Sequence, residues 1–357
     1  MGTRILIAFL LVIAFPVPGQ ASKKSPKQLP KNPRAILTAA APFYNFADPS
    51  LKPWYMRVTY QLFDDNGKAT AQGVFSYWWA SPKVYRMTWS RPGAAYTVWH
   101  TADGKESEKS IGDELEYSER QLKSAILSPL PTAEEVDPSK SRLMRQVQSV
   151  SHQKFPCVMV VPRMHPANTV HALSAVPPGL FPTYCFDPDV PGLRIVYSWG
   201  STMEVFNRIA KIQGKYLPEE VQFFEAGHPI LTANVKMVNN LDSSDPALKP
   251  APDAKAVGKP IKVFVKEKKT NGYLVKKVAP IYPQDAEEAH ASGTVVLDAI
   301  IGTDGVIHKI QIVKAPWPSL AASAVWAVSH WRYKPYLVNG KPVEVETTIN
   351  VIFKLSG

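Results

Sequence analysis

The sequence predicts an α+β protein with two units: a large antiparallel β-rich unit, and a small ββαβ unit near the carboxyl end. Apolar and polar residues alternate in several segments from Met56 onward, and this period of two is typical of half-buried strands. Proline makes up 33 of the 357 residues, well above its average of about 5%, and helices tolerate it badly. The length suits two domains of ordinary size with connecting segments.

The first 21 residues predict an export signal. A positive start with Arg4 precedes an apolar run over residues 5–15, and Gly19 and Ala21 are small residues suited to signal peptidase. The run is shorter than the about 20 apolar residues that a spanning helix needs. We therefore expect an exported protein, and a retained membrane anchor is the alternative. The basic, proline-containing residues 22–34 predict a disordered or extended lead-in.

The charge of the chain bears on its partners. The formal net charge is +11, and a cytosolic protein with this charge would be expected to bind nucleic acid. Because this chain begins with an export signal, we expect anionic lipid head groups or cell-wall polymers as acidic partners, and no nucleic acid.

The large β-rich unit is predicted over residues 35–240. Alternating residues 56–62 precede Asn66-Gly67, a strong hairpin signal, and residues 112–127 have a helical pattern. Regularly spaced strands imply an antiparallel meander, followed by further strands and a long loop at 165–182. The other predicted strands are 73–80, 83–90, 95–101, 154–161, 193–198, 203–212, 220–224 and 230–238.

Two cysteines and eight histidines are the residues most relevant to catalysis or metal binding. In an exported protein, Cys157 and Cys185 predict one disulfide, and two buried free thiols are the alternative. The histidines are scattered, and the chain contains no metalloprotease, nucleophile-elbow or phosphate-loop motif. We therefore expect no enzymatic activity, no metal site and no cofactor.

A spacer is predicted between the two units. Residues 241–262 are rich in Pro, Ala, Lys and Asp, and residues 241–260 contain no aromatic side chain. This composition favours a semi-rigid connection with a reach of at most about 60 Å when it is extended.

The small unit is predicted over residues 263–357. Strands are expected at 294–301 and 306–313, joined by a turn at Asp304-Gly305, and a helix is expected from Ser319. The helix has an apolar face made of Leu320, Ala324, Val325, Val328 and Trp331. A closing strand at 343–353 directs Val343, Val345, Thr347, Ile349, Val351 and Phe353 to one face, and Glu344, Glu346, Thr348, Asn350, Ile352 and Lys354 to the other. The helix should cover the apolar face of the sheet.

Spaced residues of the small unit form a recognisable pattern. They are Tyr282, Pro283, Gly293, Gly305, Trp331, Pro335, Gly340 and Pro342. In this order they resemble the TonB C-terminal domain family of Gram-negative bacteria. Ala-Pro-Trp-Pro at residues 315–318 departs from the Ser-Ser-Gly turn that the family often has before its helix. We interpret the pattern as mainly structural: Trp331 closes the core, Pro335 stops the helix, and Gly340 turns the chain into the last strand.

This resemblance implies a function for the last strand. It implies that the strand accepts an extended peptide from an outer-membrane transporter, or another envelope protein, by strand addition. The candidate residues are Val343, Val345, Thr347, Thr348, Ile349, Asn350 and Val351. A non-enzymatic periplasmic protein associated with transmembrane transport is expected, or an inner-membrane anchored one if the signal is uncleaved. Exposed terminal strands also pair with their own copies, so a homodimer is plausible.

The large unit carries a second resemblance. Residues 73–93, GVFSYWWASPKVYRMTWSRPG, and 95–104, AYTVWHTADG, resemble the LolA-like periplasmic lipoprotein carriers. That group implies an antiparallel half-barrel with helical insertions around an apolar cavity. Trp78, Tyr85, Met87, Trp89, Tyr96 and Trp99 are then candidates to line a lipid pocket, and a filled core is the alternative. A lipid or lipoprotein carrier and a structural protein of the cell envelope are the alternative functions.

Overall fold

The computed structural model describes residues 29–64, 66–150, 152–163, 180–199, 202–225, 227–258 and 261–355. The predicted export signal at residues 1–21 lies outside these residues. The same is true of most of the basic lead-in, and of most of the loop predicted at 165–182.

The first part of the described chain is mostly strand, with two helices. In chain order the elements are α1 (Pro33–Tyr44), β1 (Trp54–Phe63), β2 (Ala69–Ser81), β3 (Val84–Arg91), β4 (Ala94–His100), β5 (Glu106–Gly112), α2 (Tyr117–Leu127), β6 (Ser141–Val150), β7 (Gln153–Pro162), β8 (Thr183–Phe186), β9 (Leu193–Ser198), β10 (Thr202–Ile212), β11 (Lys215–Glu225), β12 (His228–Asn240) and β13 (Lys255–Val257). Among the described residues these thirteen strands form one antiparallel sheet, in the order β13-β5-β4-β3-β2-β1-β12-β11-β10-β9-β8-β7-β6. The predicted antiparallel meander is confirmed.

Two helices pack on one face of this sheet. Asn32 caps α1 by accepting hydrogen bonds from the backbone of Arg34 and Ala35, and Pro33 occupies the first turn. The lead-in predicted at residues 22–34 therefore ends in an ordered helix. Side chains of α1 and α2, including Ile36 and Leu122, are buried in one core with the inner face of the sheet.

The middle of the chain extends the sheet instead of interrupting it. Within residues 131–184 the sequence predicted one strand at 154–161 and a loop at 165–182, whereas the described residues of this part form β6 and β7 and begin β8. Cys157 and Cys185 are directly opposite each other on β7 and β8 and are joined by a disulfide. The covalent bond therefore links neighbouring strands near one edge of the sheet.

The segment predicted to be a spacer packs on the large unit. Leu248, in a short 3₁₀ turn at Pro246–Leu248, is buried, and the indole of Trp99 donates a hydrogen bond to the Ala247 carbonyl at 3.1 Å. Farther along the chain, β13 pairs with β5 and adds one strand to the edge of the sheet. The expectation of an extended connection is therefore wrong for these residues, because backbone pairing and burial of Leu248 hold them against the sheet.

The small unit contains the four predicted elements and several short ones that were not predicted. They are β14 (Lys262–Phe264), α3 (Glu267–Thr270), β15 (Leu274–Lys276), α4 (Gln284–Glu288), β16 (Gly293–Ile301), β17 (Ile307–Lys314), α5 (Pro318–Ser329), β18 (Arg332–Tyr333), β19 (Tyr336–Val338) and β20 (Lys341–Phe353). The main strands have the order β14-β20-β16-β17, and β19 forms a hairpin with β20. The predicted ββαβ order of β16, β17, α5 and β20 is confirmed.

Helix α5 differs from the sequence expectation in its burial. Ala321, Ala322 and Ala327 are buried together with the predicted apolar face. A helix that is apolar on all sides is typically buried on all sides. Met159 and Phe181 of the large unit belong to the same buried cluster as α5, so the two units share a core.

Polar contacts also join the two units. The indole of Trp326 donates a hydrogen bond to Glu225 Oε1 at 2.5 Å, and His330 Nε2 lies 3.2 Å from the same oxygen. The ring of His330 packs on Tyr117 with centroids 4.6 Å apart. Burial alone would raise the pKa of Glu225, but the hydrogen bonds from His330 and Trp326 outweigh it and lower that pKa.

Candidate functional site

Strand β20 is the candidate binding element, and one of its edges is fully paired. It forms an antiparallel ladder with β16 from Val345↔Ile301 to Phe353↔Gly293. Val343, Val345, Thr347, Ile349 and Val351 are all buried, so the predicted alternation between the two faces of the strand is confirmed. These side chains anchor β20 in the core and are not accessible to a partner.

The opposite edge of β20 is partly occupied by the chain itself. Strand β14 pairs with it in parallel, with Lys262 opposite Glu344 and Phe264 opposite Glu346. The Glu344 N–H donates to the Ile261 carbonyl at 2.9 Å, and the Val265 N–H donates to the Glu346 carbonyl at 3.0 Å. The terminal strand, expected to be exposed, is therefore covered by the chain itself over residues 344–346.

Helix α3 makes a further contact with the same edge. Glu267 Oε1 accepts a hydrogen bond from the Asn350 backbone N–H at 2.9 Å, and the Asn350 side-chain amide donates to the other carboxylate oxygen. The hydroxyls of Thr270 and Thr347 are 3.4 Å apart. The Glu267 carboxylate thus takes the place that a carbonyl of a paired strand would occupy.

The other backbone N–H and C=O groups of this edge determine where a partner strand could pair. Alternate residues of a strand direct their N–H and C=O groups to the same edge, so Thr348 and Ile352 face the same side as Glu344 and Glu346. Thr348 keeps its side chain on β16, where its hydroxyl donates to Asp298 Oδ1 at 3.1 Å. Of the described part of this edge, the backbone of Thr348 and Ile352 is therefore what a strand could join without first displacing α3.

Two of the three motif glycines lie in turns that require a positive φ. Gly305 has a φ of +76°, and a Cβ at this position would lie 1.9 Å from the Tyr333 carbonyl oxygen. Asn339 and Gly340 both have positive φ, of 52° and 76°, which suits the tight hairpin between β19 and β20. Pro342 follows this turn, opposite Leu337. These residues form the turns that connect the strands of the small unit and lead into β20.

The aromatic motif residues close the core of the small unit. The Trp331 indole donates to the Val278 carbonyl at 2.8 Å, and the Tyr282 hydroxyl donates to the Ala291 carbonyl at 2.5 Å. Tyr282 also packs edge-on against Phe353 at the end of β20. These contacts hold residues 278–291 against Trp331, which follows α5, and against the end of β20.

The remaining motif residues mark element boundaries. Pro283 is the residue before α4, Gly293 begins β16 with a φ of +134°, and Pro335 lies between β18 and β19. The residues that depart from the family pattern are also used, because the Trp317 indole donates to Asp285 Oδ2 at 2.9 Å and Pro318 begins α5.

The six residues predicted to line a lipid pocket lie on both faces of the sheet. Met87 and Trp89 are buried in the core beneath the helices, and Tyr85 and Tyr96 pack against that core. Trp78 and Trp99 are on the other face, where they flank the Arg86 guanidinium at 4.4 and 5.4 Å. The six side chains cannot line one cavity, because neighbouring positions along a strand point to opposite faces.

A buried charge cluster was missed by sequence reasoning. Glu119 of α2 accepts a hydrogen bond from the Tyr60 hydroxyl at 2.5 Å and lies 3.2 Å from the Arg91 guanidinium. Burial, and then the hydrogen bond to Glu119, raise the pKa of Tyr60. No local sequence signal joins these residues, which come from three separate elements. The cluster fixes α2 on the sheet.

Two negative findings concern only the described residues. Within the ranges given above, no group of three or more His, Cys, Asp or Glu side chains is arranged to hold a metal ion. In the same part of the chain, no helix combines the length and the apolar character needed to cross a membrane.

Comparisons with known proteins give sequence matches for the small unit and structural similarities for parts of the chain. Residues 278–355 match the family model described as Gram-negative bacterial TonB protein C-terminal. The chain is 30% identical over 82 residues to Protein TonB of Vibrio cholerae, a match that spans 23% of this chain and 34% of that protein. The matched part is thus about a third of the relative's length. The family resemblance stated for the small unit is confirmed.

Solved structures similar to parts of the chain include members of both groups. A LolA superfamily protein from Nitrosomonas europaea is 9% identical, with a TM-score of 0.37, and the alignment covers 61% of this chain and 97% of that one. The solution structure of the TonB C-terminal domain from Pseudomonas aeruginosa is 27% identical, with a TM-score of 0.22, over 24% of this chain and 86% of that one.

Proposed function

We propose that this chain, whose residues 278–355 match the TonB C-terminal family, is a non-enzymatic periplasmic protein associated with transmembrane transport. It binds an outer-membrane transporter or another envelope protein by strand pairing along β20. The main support for the proposal is the outer edge of β20, which among the described residues is paired with a three-residue parallel strand and contacted by one carboxylate.

The energetics of this edge suit exchange of one strand for another. A backbone hydrogen bond contributes about 0.5–1.5 kcal/mol net, and β14 forms its ladder over three residues only. An extended peptide that pairs with residues 344–352 would form a longer ladder than β14 does. Displacement of β14 by such a peptide therefore gains backbone hydrogen bonds, and it is favourable when the peptide also replaces the packing of Val263 on the core.

Photo-crosslinking in cells tests the proposal. A photoreactive residue introduced at Thr348 or Ile352 should crosslink to an outer-membrane protein, because the backbone of both residues faces the proposed partner strand and a long side chain there lies next to it. The same residue introduced at Lys236, on the exposed end of β12, is the control and should give no such product. Products that contain only a second copy of this chain would favour the homodimer instead.

Thr348→Pro is the matched genetic test. Its N–H points away from β16, so proline removes a donor from the outer edge and leaves the β16 ladder paired. Thr348→Ala keeps the N–H and is the control. We expect the crosslink from Ile352 to be lost with Thr348→Pro and kept with Thr348→Ala, while both variants melt as a folded protein. A retained crosslink in Thr348→Pro would contradict strand pairing.

The two alternative functions have weaker support. A lipid or lipoprotein carrier needs an apolar cavity, whereas Met87 and Trp89 are packed in a filled core. Lipid that copurifies with the protein would nevertheless favour the carrier. A structural protein of the cell envelope would bind cell wall through its net charge of +11, and crosslinks to cell wall without a protein partner would favour it.

Localisation is part of the same proposal. An exported periplasmic protein should have Ser22 as its first residue, and mass spectrometry of the protein from cells measures this directly. A chain that retains residues 1–21 would instead support the inner-membrane anchored alternative.

A further inference from the structure

An exposed apolar surface lies beside the β20 edge. Phe264 is 68% exposed and Leu337 is 54% exposed. Phe264 is opposite Glu346, and Leu337 is opposite Pro342, so both side chains are on the face of the sheet that α5 does not cover. Two large apolar side chains that are this exposed on one face of a small unit favour an interaction site on that face.

Three lysines lie beside Phe264. Lys266, Lys268 and Lys269 are exposed and line a cavity of about 560 Å³ together with Phe264 and Tyr336. The ammonium of Lys269 is 5.2 Å from the centre of the Tyr336 ring. We call this group, Phe264, Tyr336, Leu337, Lys266, Lys268 and Lys269, the Phe264 surface.

The local charge is positive. The elements that form this surface carry Lys262, Lys266, Lys268, Lys269, Lys334 and Lys341 against Glu267, Glu344 and Glu346, six positive charges minus three negative ones. Glu267 is also engaged by Asn350, and Glu344 lies opposite Lys262. Glu346 lies opposite Phe264, but the lysines outnumber the carboxylates, so the net local charge beside Phe264 is positive.

We propose that the Phe264 surface binds the anionic surface of a phospholipid bilayer. The lysines contact head-group phosphates, and Phe264 and Leu337 enter the boundary between head groups and acyl chains. Exposed apolar side chains bordered by lysines are the pattern of proteins that lie on such membranes. This partner is additional to the protein partner proposed for β20.

A lipid surface fits these residues better than an acidic polypeptide does. An acidic peptide would be held by the lysines alone, and it would leave Phe264 and Leu337 in water. A bilayer satisfies both features, since its phosphates meet the cations and its interior removes apolar surface from water.

Vesicle flotation tests the inference. The chain from Ser22 onward, which keeps every described residue, is mixed with vesicles of phosphatidylethanolamine and phosphatidylglycerol, or of phosphatidylcholine alone. We expect flotation with the anionic vesicles only. Replacing Lys266, Lys268 and Lys269 by Glu together should weaken binding by about tenfold or more, and Phe264→Ser should weaken it by about tenfold.

Two matched controls give the test its specificity. Replacing Lys52, Lys68 and Lys236 by Glu changes the net charge equally, but on the exposed surface of the large unit. Ile352→Ser removes a side chain that is 61% exposed on the same sheet face, about 20 Å along β20 from Glu346. We expect both control variants to float like the unchanged chain, and melting curves establish that all variants are folded.

Several results would overturn the inference. One is absence of flotation with anionic vesicles, and another is an equal loss in the two lysine variants, which would make binding a matter of net charge. A third is binding to polyglutamate as tight as to vesicles and unchanged in Phe264→Ser, which would assign the surface to acidic polypeptides.

Discussion

The connecting segment supplies an edge strand to each of the two sheets, and it does so in different ways. At the large sheet, β13 pairs antiparallel with β5, and buried Leu248 and the Trp99–Ala247 hydrogen bond hold the chain nearby. At the small sheet, β14 pairs in parallel with β20, and its Phe264 is exposed. The first edge strand is itself exposed and is held by the burial of Leu248 before it, whereas the second has Val263 packed on the core of the small unit and buried Val265 just after it.

The largest expected effect comes from removing the buried anchor of the first edge. Leu248→Ala should lower the free energy of unfolding by about 2–3 kcal/mol, because it leaves a cavity beside β3. Phe264→Ala, the matched change at the second edge, should lower it by less than about 0.5 kcal/mol, since the side chain is already exposed. Urea titrations measure both values. Equal losses would contradict the distinction between the edges.

A smaller effect is expected from Glu267, which holds the second edge. Glu267→Ala removes the acceptor of the Asn350 N–H and should cost about 0.5–1.5 kcal/mol. Hydrogen exchange of the Asn350 amide should become faster, whereas Glu267→Gln, which keeps a carbonyl acceptor, should restore part of the protection. Unchanged exchange in Glu267→Ala would show that α3 does not protect this edge.

The smallest effect concerns the contact between the units and depends on pH. Hydrogen bonds from His330 and Trp326 lower the pKa of Glu225 below its ordinary value. This stabilisation is present above the unfolded pKa of Glu225, about 4.3, and is lost as pH falls through the lower folded pKa. Melting temperatures measured between neutral and acidic pH should therefore fall less steeply at the acidic end for Glu225→Gln. Identical slopes would contradict a role for this carboxylate.

The small unit could be predicted closely because its sequence signals are local. Alternation over residues 343–353 and Asp304-Gly305 identified β20 and the β16–β17 turn without tertiary information. In contrast, α1 was missed, because Pro42 lies inside it and a basic segment precedes it. Strand β5, ESEKSIG, was missed because its side chains are half-buried or exposed and it has no apolar alternation.

The covered edge of the candidate site could not be predicted for a different reason. The pairing of Lys262–Phe264 with residues 344–346 joins segments that are far apart in the chain, and three residues are too few to show a period. The bond from Asn350 to Glu267 also depends on tertiary position, since a glutamate beside lysines has the sequence character of solvated charge. Both the β14–β20 pairing and the Asn350–Glu267 bond depend on tertiary contacts that a local sequence pattern does not predict.

The burial of most of α5 has a consequence for folding. Its alanines are buried in the same cluster as Met159 and Phe181 of the large unit, so neither unit completes its apolar packing alone. Denaturation should accordingly proceed as a single cooperative transition, because loss of one unit exposes the helix that stabilises the other. The large unit is synthesised before α5, so Met159 and Phe181 are not covered until α5 has left the ribosome and packs on them.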